Sequence, residues 1–336
     1  MSQTTIALIA ILALSVTFDY INGFHDTANA IATSVATRAL RPEFAILLSA
    51  TANFAGALIF GVAVAKTIGG GIVSDSVILG HGFTVLAAAL LGGIAWNLIT
   101  WLLSLPSSSS HALVGGLIGA GIAHSGVDAV QWANFAGKVL VPLLLSPLLG
   151  LIVGFALMVV LLNVFRRANP RRMNDRFRKL QIVSATYMAL SHGSNDAQKT
   201  MGIMTLALVA AGVTHDKTPP IWVILLAATA MSLGTAAGGW RIMKTMGQRV
   251  VKLDPVHGFA AETTAATIIM AATHFGAPVS TTHVISSAIM GVGTSDRLKA
   301  VRWGVARDIV TAWILTIPCA CLISFGAYSV LRLVGF

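Results

Sequence analysis

Long apolar blocks, separated by short polar connections, set the pattern of this chain. Blocks of about 20 apolar residues are long enough to cross the hydrocarbon core of a bilayer as helices. The protein is therefore expected to be an all-α polytopic membrane protein. The pattern predicts crossings at 4–37, 43–66, 82–105, 107–123, 132–165, 180–212, 220–243, 254–275, 278–295 and 303–334.

Two of these segments, 107–123 and 278–295, are short and rich in glycine, serine and threonine. A proline stands at or just before each start, at Pro106 and Pro278, where the missing N–H interrupts a helix. Each segment is compatible with a full crossing or with one arm of a re-entrant hairpin. The expected total is therefore about 10–12 helical segments, some of them broken.

Composition supports a membrane protein and excludes a nucleic-acid binder. Of the 336 residues, 56% are hydrophobic and 10% are charged, and the mean hydropathy is +0.82. Soluble domains carry about 25% charged residues, and no stretch here resembles such a domain. The net charge of +10 comes from basic residues in the short connections, as expected for a multi-pass protein of the cell membrane, surrounded by lipid.

Four basic clusters predict an orientation. They are Arg38 with Arg41, and the basic residues within 166–179, 241–252 and 297–307. The positive-inside rule places all four on the cytoplasmic side, so both termini are expected outside. This arrangement requires an odd number of crossings in each half, about five.

Two pairs of similar motifs indicate an internal duplication. "GFHDTANAIAT" and "HGSNDAQKTMG" place Asp26 and Asp196 170 residues apart, and "PSSSSH" and "PVSTTH" lie 172 residues apart. The expected organisation is a first transmembrane repeat at 1–165, a basic cytoplasmic linker at 166–179 and a second, inverted repeat at 180–336. Inverted-topology repeats are a transporter architecture, with the substrate site at the interface between repeats.

The aspartates of the first motif pair are unusual in apolar segments. A charge at the bilayer centre costs roughly 3 kcal/mol, so such residues usually face a partner or a cavity. Asp26 has Asn29 nearby, and Asp196 has Asn195. Carboxylate and amide oxygens are hard ligands, which suits Na⁺, exchangeable protons or a hydrated metal. Purely structural pairing of the two aspartates is the alternative interpretation.

The second motif pair offers the opposite chemistry. A helix that restarts after a proline presents free backbone N–H groups at its positive end, which can bind an anion. Hydroxyl groups add donors, and they belong to Ser108, Ser109, Ser110, Ser280, Thr281 and Thr282. Ordinary Ser/Thr capping is the alternative. Together the two motif pairs predict a small oxyanion that moves with a cation.

Further polar residues are candidates for the same site. Glu262 is a third intramembrane carboxylate, and Lys199 can bind the anion or neutralise Asp196. His25 and His192 can relay protons, because histidine titrates near neutral pH. Asn53 either assists cation binding or makes a hydrogen bond between helices.

The paired motifs "NGFHDTANAIAT", "PSSSSH", "SHGSNDAQK" and "PVSTTHV" resemble the signatures of the inorganic phosphate transporter family of Pit type, over nearly the whole chain. That family includes bacterial low-affinity phosphate permeases and eukaryotic sodium–phosphate symporters. The resemblance implies phosphate import across the cell membrane. It also implies that phosphate contacts the six hydroxyl residues above, while Asp26, Asn29, Asn195 and Asp196 complete the site and hold the coupling cation.

Two departures from the sodium-coupled members bear on coupling. The first motif has His25 before Asp26 instead of asparagine, and Lys199 occupies the place that Asn29 holds in the first motif. Both resemble the bacterial proton-coupled branch, which implies H⁺ rather than Na⁺ symport and phosphate carried with or without a divalent metal. Lys199 would then act as a built-in cation, whereas Glu262 could still hold Na⁺.

Rival functions remain open at this stage. Sulfate or another oxyanion could be the substrate, although the acceptor carboxylates favour phosphate, which carries a proton that sulfate lacks. A channel fits inverted repeats less well than alternating access does. An intramembrane hydrolase is disfavoured because the adjacent Ser110 and His111 point in different directions. No enzyme activity and no cofactor are expected, and a homo-oligomer is compatible with the sequence.

Overall fold

Helices make up almost all of the fold. The computed structural model describes residues 2–335, apart from the side chains of residues 71, 75, 79, 80 and 81. The first helices are α1 (Gln3–Ala36), α2 (Pro42–Ile59), α3 (Ala63–Gly71), α4 (Asp75–Leu102), α5 (Ser109–Ser125), and the short α6 (Trp132–Asn134), which a π-helical turn (Phe135–Leu140) joins to α7 (Val141–Val164). They are followed by α8 (Pro170–Ala210), α9 (Ile221–Ala237), α10 (Trp240–Lys244) with a π-helical turn (Thr245–Arg249), α11 (Pro255–His274), α12 (Thr281–Asp296) and α13 (Trp303–Leu333).

The predicted all-α membrane fold is confirmed. Among the described residues, five helices are long and apolar enough to span a membrane, or six if the pair Ile221–Ala237 and Trp240–Arg249, bent by 60°, is one broken span. Each of the ten predicted segments also contains a helix. Helix α8 falls outside the five although it has 41 residues, because its buried polar side chains lower its hydropathy.

The connection between the two halves is shorter than the predicted linker at 166–179. Helix α8 already begins at Pro170, and proline is favoured at the first position of a helix. The side chain of Asn169 caps this start by accepting hydrogen bonds from the backbone N–H groups of Arg171 and Arg172. The basic residues of this region therefore lie largely on the first turns of a long helix. The boundaries of the two repeats stay a prediction.

Helix packing is reciprocal between the two halves. Helix α1 packs against α9, and α8 packs against α2. The hairpin of α4 and α5 packs against α13, while the hairpin of α11 and α12 packs against α7. Each half thus covers a helical hairpin of the other. This exchange supports the predicted duplication, and the inverted orientation of the repeats stays a prediction.

Close contact between α5 and α13 depends on glycine. A Cβ atom added to Gly119 would lie 2.1 Å from the backbone oxygen of Cys321, so the two helices could not stay at their present separation. We expect Gly119→Ala to destabilise the folded protein by about 1–3 kcal/mol. Thermal unfolding in detergent measures this. Gly137→Ala is the matched control, because nothing lies within 4 Å of its added Cβ; equal unfolding temperatures in both variants would refute the close-packing argument.

Candidate functional site

The two motif aspartates meet across a histidine in the interior. Asp26 lies on α1, and Asp196 lies on α8 together with His192 one turn earlier. His192 Nε2 is 3.3 Å from Asp196 Oδ2 and 4.0 Å from Asp26 Oδ2. The three side chains are buried, and they offer ligand atoms within 4.8 Å of one another, which is a spacing suited to a metal ion.

Asp26 receives donors from both halves of the chain. Ser109 at the start of α5 donates to Asp26 Oδ2 at 3.2 Å, and Thr282 at the start of α12 donates to Asp26 Oδ1 at 3.5 Å. His25 Nδ1 is 2.6 Å from the same Oδ1. The carboxylate is therefore the point where α1 holds the two helix starts together.

His25 links Asp26 to the tip of the first hairpin. Its Nε2 lies 3.2 Å from Thr100 Oγ1 on α4 and 3.5 Å from Ser107 Oγ, and Ser107 donates to Thr100 at 2.7 Å. Every member of this chain is buried. A chain of hydroxyl and imidazole groups can carry a proton to or from the carboxylate of Asp26.

Lys199 is the central cation of the site. Its Nζ donates hydrogen bonds to Asp196 Oδ1 and Ser110 Oγ, and to the backbone oxygen of Val279 at 3.0 Å. Thr281 donates to the other oxygen of Asp196 at 3.0 Å. One ammonium group thus joins the carboxylate of α8 to the starts of α5 and α12.

The two Ser/Thr motifs divide into capping and inward-facing residues. The side chains of Ser108 and Ser280 accept hydrogen bonds from the backbone N–H groups of His111 and His283 at 3.1 and 3.2 Å. The capping interpretation therefore describes these two positions. The aspartates and Lys199 are contacted by the residues that follow, namely Ser109, Ser110, Thr281 and Thr282.

The helix starts themselves lie side by side. The rings of His111 and His283 pack edge to face with centroids 4.5 Å apart. In each helix the backbone N–H groups of the first two residues have no acceptor within the helix. Two positive helix ends therefore converge on one buried region, where they favour a negatively charged ligand.

The motif amides complete this region. Asn29 donates to Thr282 at 2.9 Å and to Thr281 at 3.4 Å, and Asn195 donates to Thr273 at 2.9 Å and to the backbone oxygen of Ala277 at 3.4 Å. The side-chain oxygens of Asn29 and Asn195 have no hydrogen-bond partner among the described residues. They are free acceptors for a cation or for a donor on the ligand.

Asn53 contacts the site through His192. Its Oδ1 is 3.2 Å from His192 Nδ1, and its amide donates to Thr235 on α9 at 3.0 Å. This is the hydrogen bond between helices that the sequence offered as an alternative. Its contact with Nδ1 leaves His192 Nε2 directed to the two aspartates.

Glu262 forms a separate buried cluster. Its carboxylate accepts hydrogen bonds from Thr33 at 2.5 Å, from Gln181 at 3.1 Å and from Ser184. Thr33 lies two helical turns beyond Asp26 on α1, so this carboxylate is remote from the helix starts. Sequence reasoning grouped Glu262 with the motif aspartates and missed these three partners. Thr33 follows Asp26 by seven residues on the same face of α1, and this spacing was the sequence feature that could have indicated a second polar cluster beyond Asp26.

A polytopic helical protein with two inward-facing helix starts beside buried carboxylates has the architecture of a secondary transporter. Comparison with known proteins agrees. The sequence profile of the phosphate transporter family matches residues 22–324. The chain is 49% identical over 328 residues to a probable low-affinity inorganic phosphate transporter of Bacillus subtilis, covering 97% of both chains. It is 45% identical to a protein of Rhizobium meliloti with the same description, covering 98% of this chain and 97% of that one.

The chain belongs to the phosphate transporter family, as the sequence motifs indicated. Its relatives are transporters and not enzymes. A solved structure described as a sodium-dependent phosphate transporter has a TM-score of 0.89 and 27% sequence identity, and the match covers 98% of this chain and 99% of that one. This likeness extends to the whole fold.

Proposed function

We propose that the protein imports inorganic phosphate across the cell membrane by proton symport with alternating access. The observation that carries this proposal is the position of Lys199, whose ammonium group sits between Asp196 and the two convergent helix starts. A fixed cation there makes a bound Na⁺ unnecessary for charge balance around Asp196. Uptake of phosphate into proteoliposomes under a pH gradient or a Na⁺ gradient, imposed one at a time, tests the proposal.

Phosphate would bind between the starts of α5 and α12. The first-turn N–H groups donate to its oxygens, assisted by the hydroxyls of Ser109, Ser110, Thr281 and Thr282. In the present structure these hydroxyls donate to Asp26, Asp196 or the backbone oxygen of Val279, and Ser110 also contacts Lys199. A hydroxyl can rotate, so each of them can exchange its present acceptor for an oxygen of the anion. Lys199 supplies a charge-assisted contact. Ser108 and Ser280 hold the helix starts in place by capping.

The same arrangement predicts rejection of sulfate. Phosphate at neutral pH carries a proton that it can donate to Asp26 or Asp196. Sulfate has no proton to donate, so its oxygens would repel the carboxylates without a compensating hydrogen bond. We expect sulfate in about 100-fold excess to leave the uptake of labelled phosphate unchanged, because a site built for a hydrogen bond rejects an analogue that lacks it. Uptake into proteoliposomes measures this, with unlabelled phosphate as the positive control. Equal competition by both anions would favour a general oxyanion permease.

Coupling to protons is supported by the surroundings of Asp26. Lys199 contacts Asp196, but the groups closest to Asp26 are two imidazoles and two hydroxyls. His25 and His192 each carry an imidazole that can bind a proton, and both imidazoles face the carboxylate of Asp26. A proton that arrives through Thr100 and Ser107 would thus neutralise Asp26, as Lys199 neutralises Asp196, while the anion is transported.

Sodium coupling is the alternative, and specific observations support it. The unpartnered oxygens of Asn29 and Asn195 are suitable Na⁺ ligands, and a solved structure with a similar fold is described as a sodium-dependent phosphate transporter. Glu262 is a third candidate, although it already accepts three hydrogen bonds. Accumulation of phosphate under a Na⁺ gradient alone would decide for this mechanism.

A metal–phosphate complex is a second form of the substrate that the site supports. Asp26, His192 and Asp196 offer one nitrogen and two oxygen ligands at a spacing suited to a divalent ion such as Mn²⁺ or Zn²⁺. Lys199 competes for Asp196, which favours free phosphate. Uptake that disappears with a chelator and returns with Mn²⁺ would favour the complex.

We further propose that the basic clusters face the cytoplasm and both termini face outward. The exposed start of α8 carries one cluster, whereas the connection at 211–220 between α8 and α9 has a single lysine. In intact cells a membrane-impermeant thiol reagent should label a cysteine introduced at His215 but not one at Lys179. The reverse labelling would invert the proposed orientation.

A further inference from the structure

Helix α1 carries a polar stripe that continues past the central site. Its members recur every three or four residues, so they share one face of the helix. They are Ser15, Asp19, Asn22, Asp26, Asn29 and Thr33, and all are buried. The last three contact the helix starts or the Glu262 cluster. The first three lie toward the beginning of α1, where neither the transport site nor the comparisons assign them a role.

Asp19 is the residue with an ionisable side chain among Ser15, Asp19 and Asn22. Its side chain is fully buried, and its Oδ1 accepts a hydrogen bond from Thr200 of α8 at 2.6 Å. Among the side chains that the structure describes, its Oδ2 has no hydrogen-bond partner, and neither do Ser15 Oγ and Asn22 Oδ1, one turn away on either side. Buried polar atoms without a hydrogen-bond partner are costly, because each has lost its hydrogen bonds to water.

A proton on Asp19 lowers the cost of burying its carboxyl group. The neutral carboxyl gains an O–H that can donate to a neighbouring acceptor, and it is less costly to bury than a carboxylate without a contacting cation. The charges that act on Asp19 are those of Asp196 and Lys199, which lie on the turn of α8 that precedes Thr200.

The other helices against α1 add little charge near Asp19. Helix α9 has no titratable residue. The start of α10 and the π-helical turn after it meet α1 at Phe24 and Ala32, and α12 and α11 meet it at Asn29 and Thr33. The acidic residue of α2, Glu43, lies in its first turn, which follows the C-terminal end of α1. The acid and histidine of α4, at positions 75 and 81, lie outside the described side chains.

We propose that Asp19 binds one of the protons that cross the membrane with each phosphate. It takes this proton while the site is open to the side on which α1 begins, and releases it as a free proton to the other side, which regenerates the carboxylate. The inference rests on the proposed proton symport and adds a second protonation site, one helical turn of α8 away from the Asp196–Lys199 pair. Asp19 acts through proton binding and does not contact the phosphate.

The test is the proton stoichiometry of Asp19→Asn, a variant that keeps the side-chain volume and a permanent donor but cannot titrate. In Na⁺-free proteoliposomes with a gradient of one pH unit, the limiting accumulation ratio of phosphate should be about tenfold lower than in wild type, because one coupled proton contributes one factor of ten. Exchange of labelled for unlabelled phosphate at equal pH should persist. Asp19→Glu should restore the wild-type ratio.

The outcomes separate this inference from the proposed function. If wild type does not accumulate phosphate under the pH gradient, proton symport is wrong and the assignment of Asp19 falls with it. If wild type accumulates phosphate and Asp19→Asn reaches the same limiting ratio, only more slowly, Asp19 has a structural role and this inference alone is overturned. Should Asp19→Asn yield no folded protein, Asp19→Ser takes its place with the same expected ratio.

Discussion

Replacement of Lys199 by asparagine is expected to abolish accumulation of phosphate under a pH gradient, with initial uptake at least about 100-fold slower. The substitution removes the ammonium group that joins Asp196, Ser110 and Val279, and leaves the carboxylate of Asp196 buried without its cation. The positive charge that the proposed mechanism offers to phosphate is lost as well. Uptake of labelled phosphate into proteoliposomes measures the effect.

Two further variants separate coupling from folding. Lys179→Asn removes an exposed lysine from the same helix and should transport like wild type. The double variant Lys199→Asn with Asp196→Asn removes both charges of the pair, so it should recover folding stability in detergent while uptake stays absent. Proton-driven accumulation in Lys199→Asn within about threefold of wild type would disprove the built-in cation.

Replacement of Asp26 by asparagine is expected to lower both net uptake and phosphate exchange by at least about 100-fold. Asp26 accepts hydrogen bonds from Ser109 and Thr282, so it connects α1 to both helix starts. Asparagine keeps the shape but loses the charge that faces His25 and His192. The proposed acceptor for the proton of phosphate also becomes weaker. Rates of uptake and of exchange in proteoliposomes are the measurement.

Asp175→Asn is the matched control for this effect. Asp175 is exposed on α8 and pairs only with Arg178 at 3.7 Å, a surface contact of little energetic value. It should leave both rates unchanged. Full phosphate exchange in Asp26→Asn would show that the carboxylate serves proton movement alone, and the role of Asp26 in binding would have to be withdrawn.

The site could be predicted from sequence to the extent that chemistry is local. Asp26 and Asp196 are conspicuous because carboxylates are rare in apolar segments. The proline residues before α5 and α12 mark where helices restart, and the hydroxyl-rich runs mark those starts as anion sites. Each motif pair has one member in each half, and this duplication predicted that the motifs meet where the two halves meet. The structure places them in direct contact.

Other features depend on side-chain direction, which spacing alone does not give. Ser108 and Ser280 turn back to cap their helices while the two residues after each of them face the interior, and composition does not distinguish these positions. Glu262 has the same chemistry as Asp26, but the register of α11 against α8 brings it to Gln181 and Ser184 instead. The start of α8 at Pro170 could not be predicted from apolar segments, because the first turns of this helix are basic.

The most direct test of the proposed mechanism is phosphate uptake by the wild-type protein in proteoliposomes under a pH gradient or a Na⁺ gradient, imposed one at a time. The proposed proton symport predicts accumulation above equilibrium with the pH gradient alone and none with Na⁺ alone, because Lys199 already provides the cation beside Asp196. Accumulation only with Na⁺ would contradict it and would assign the oxygens around Asn29, Asn195 and Glu262 to sodium.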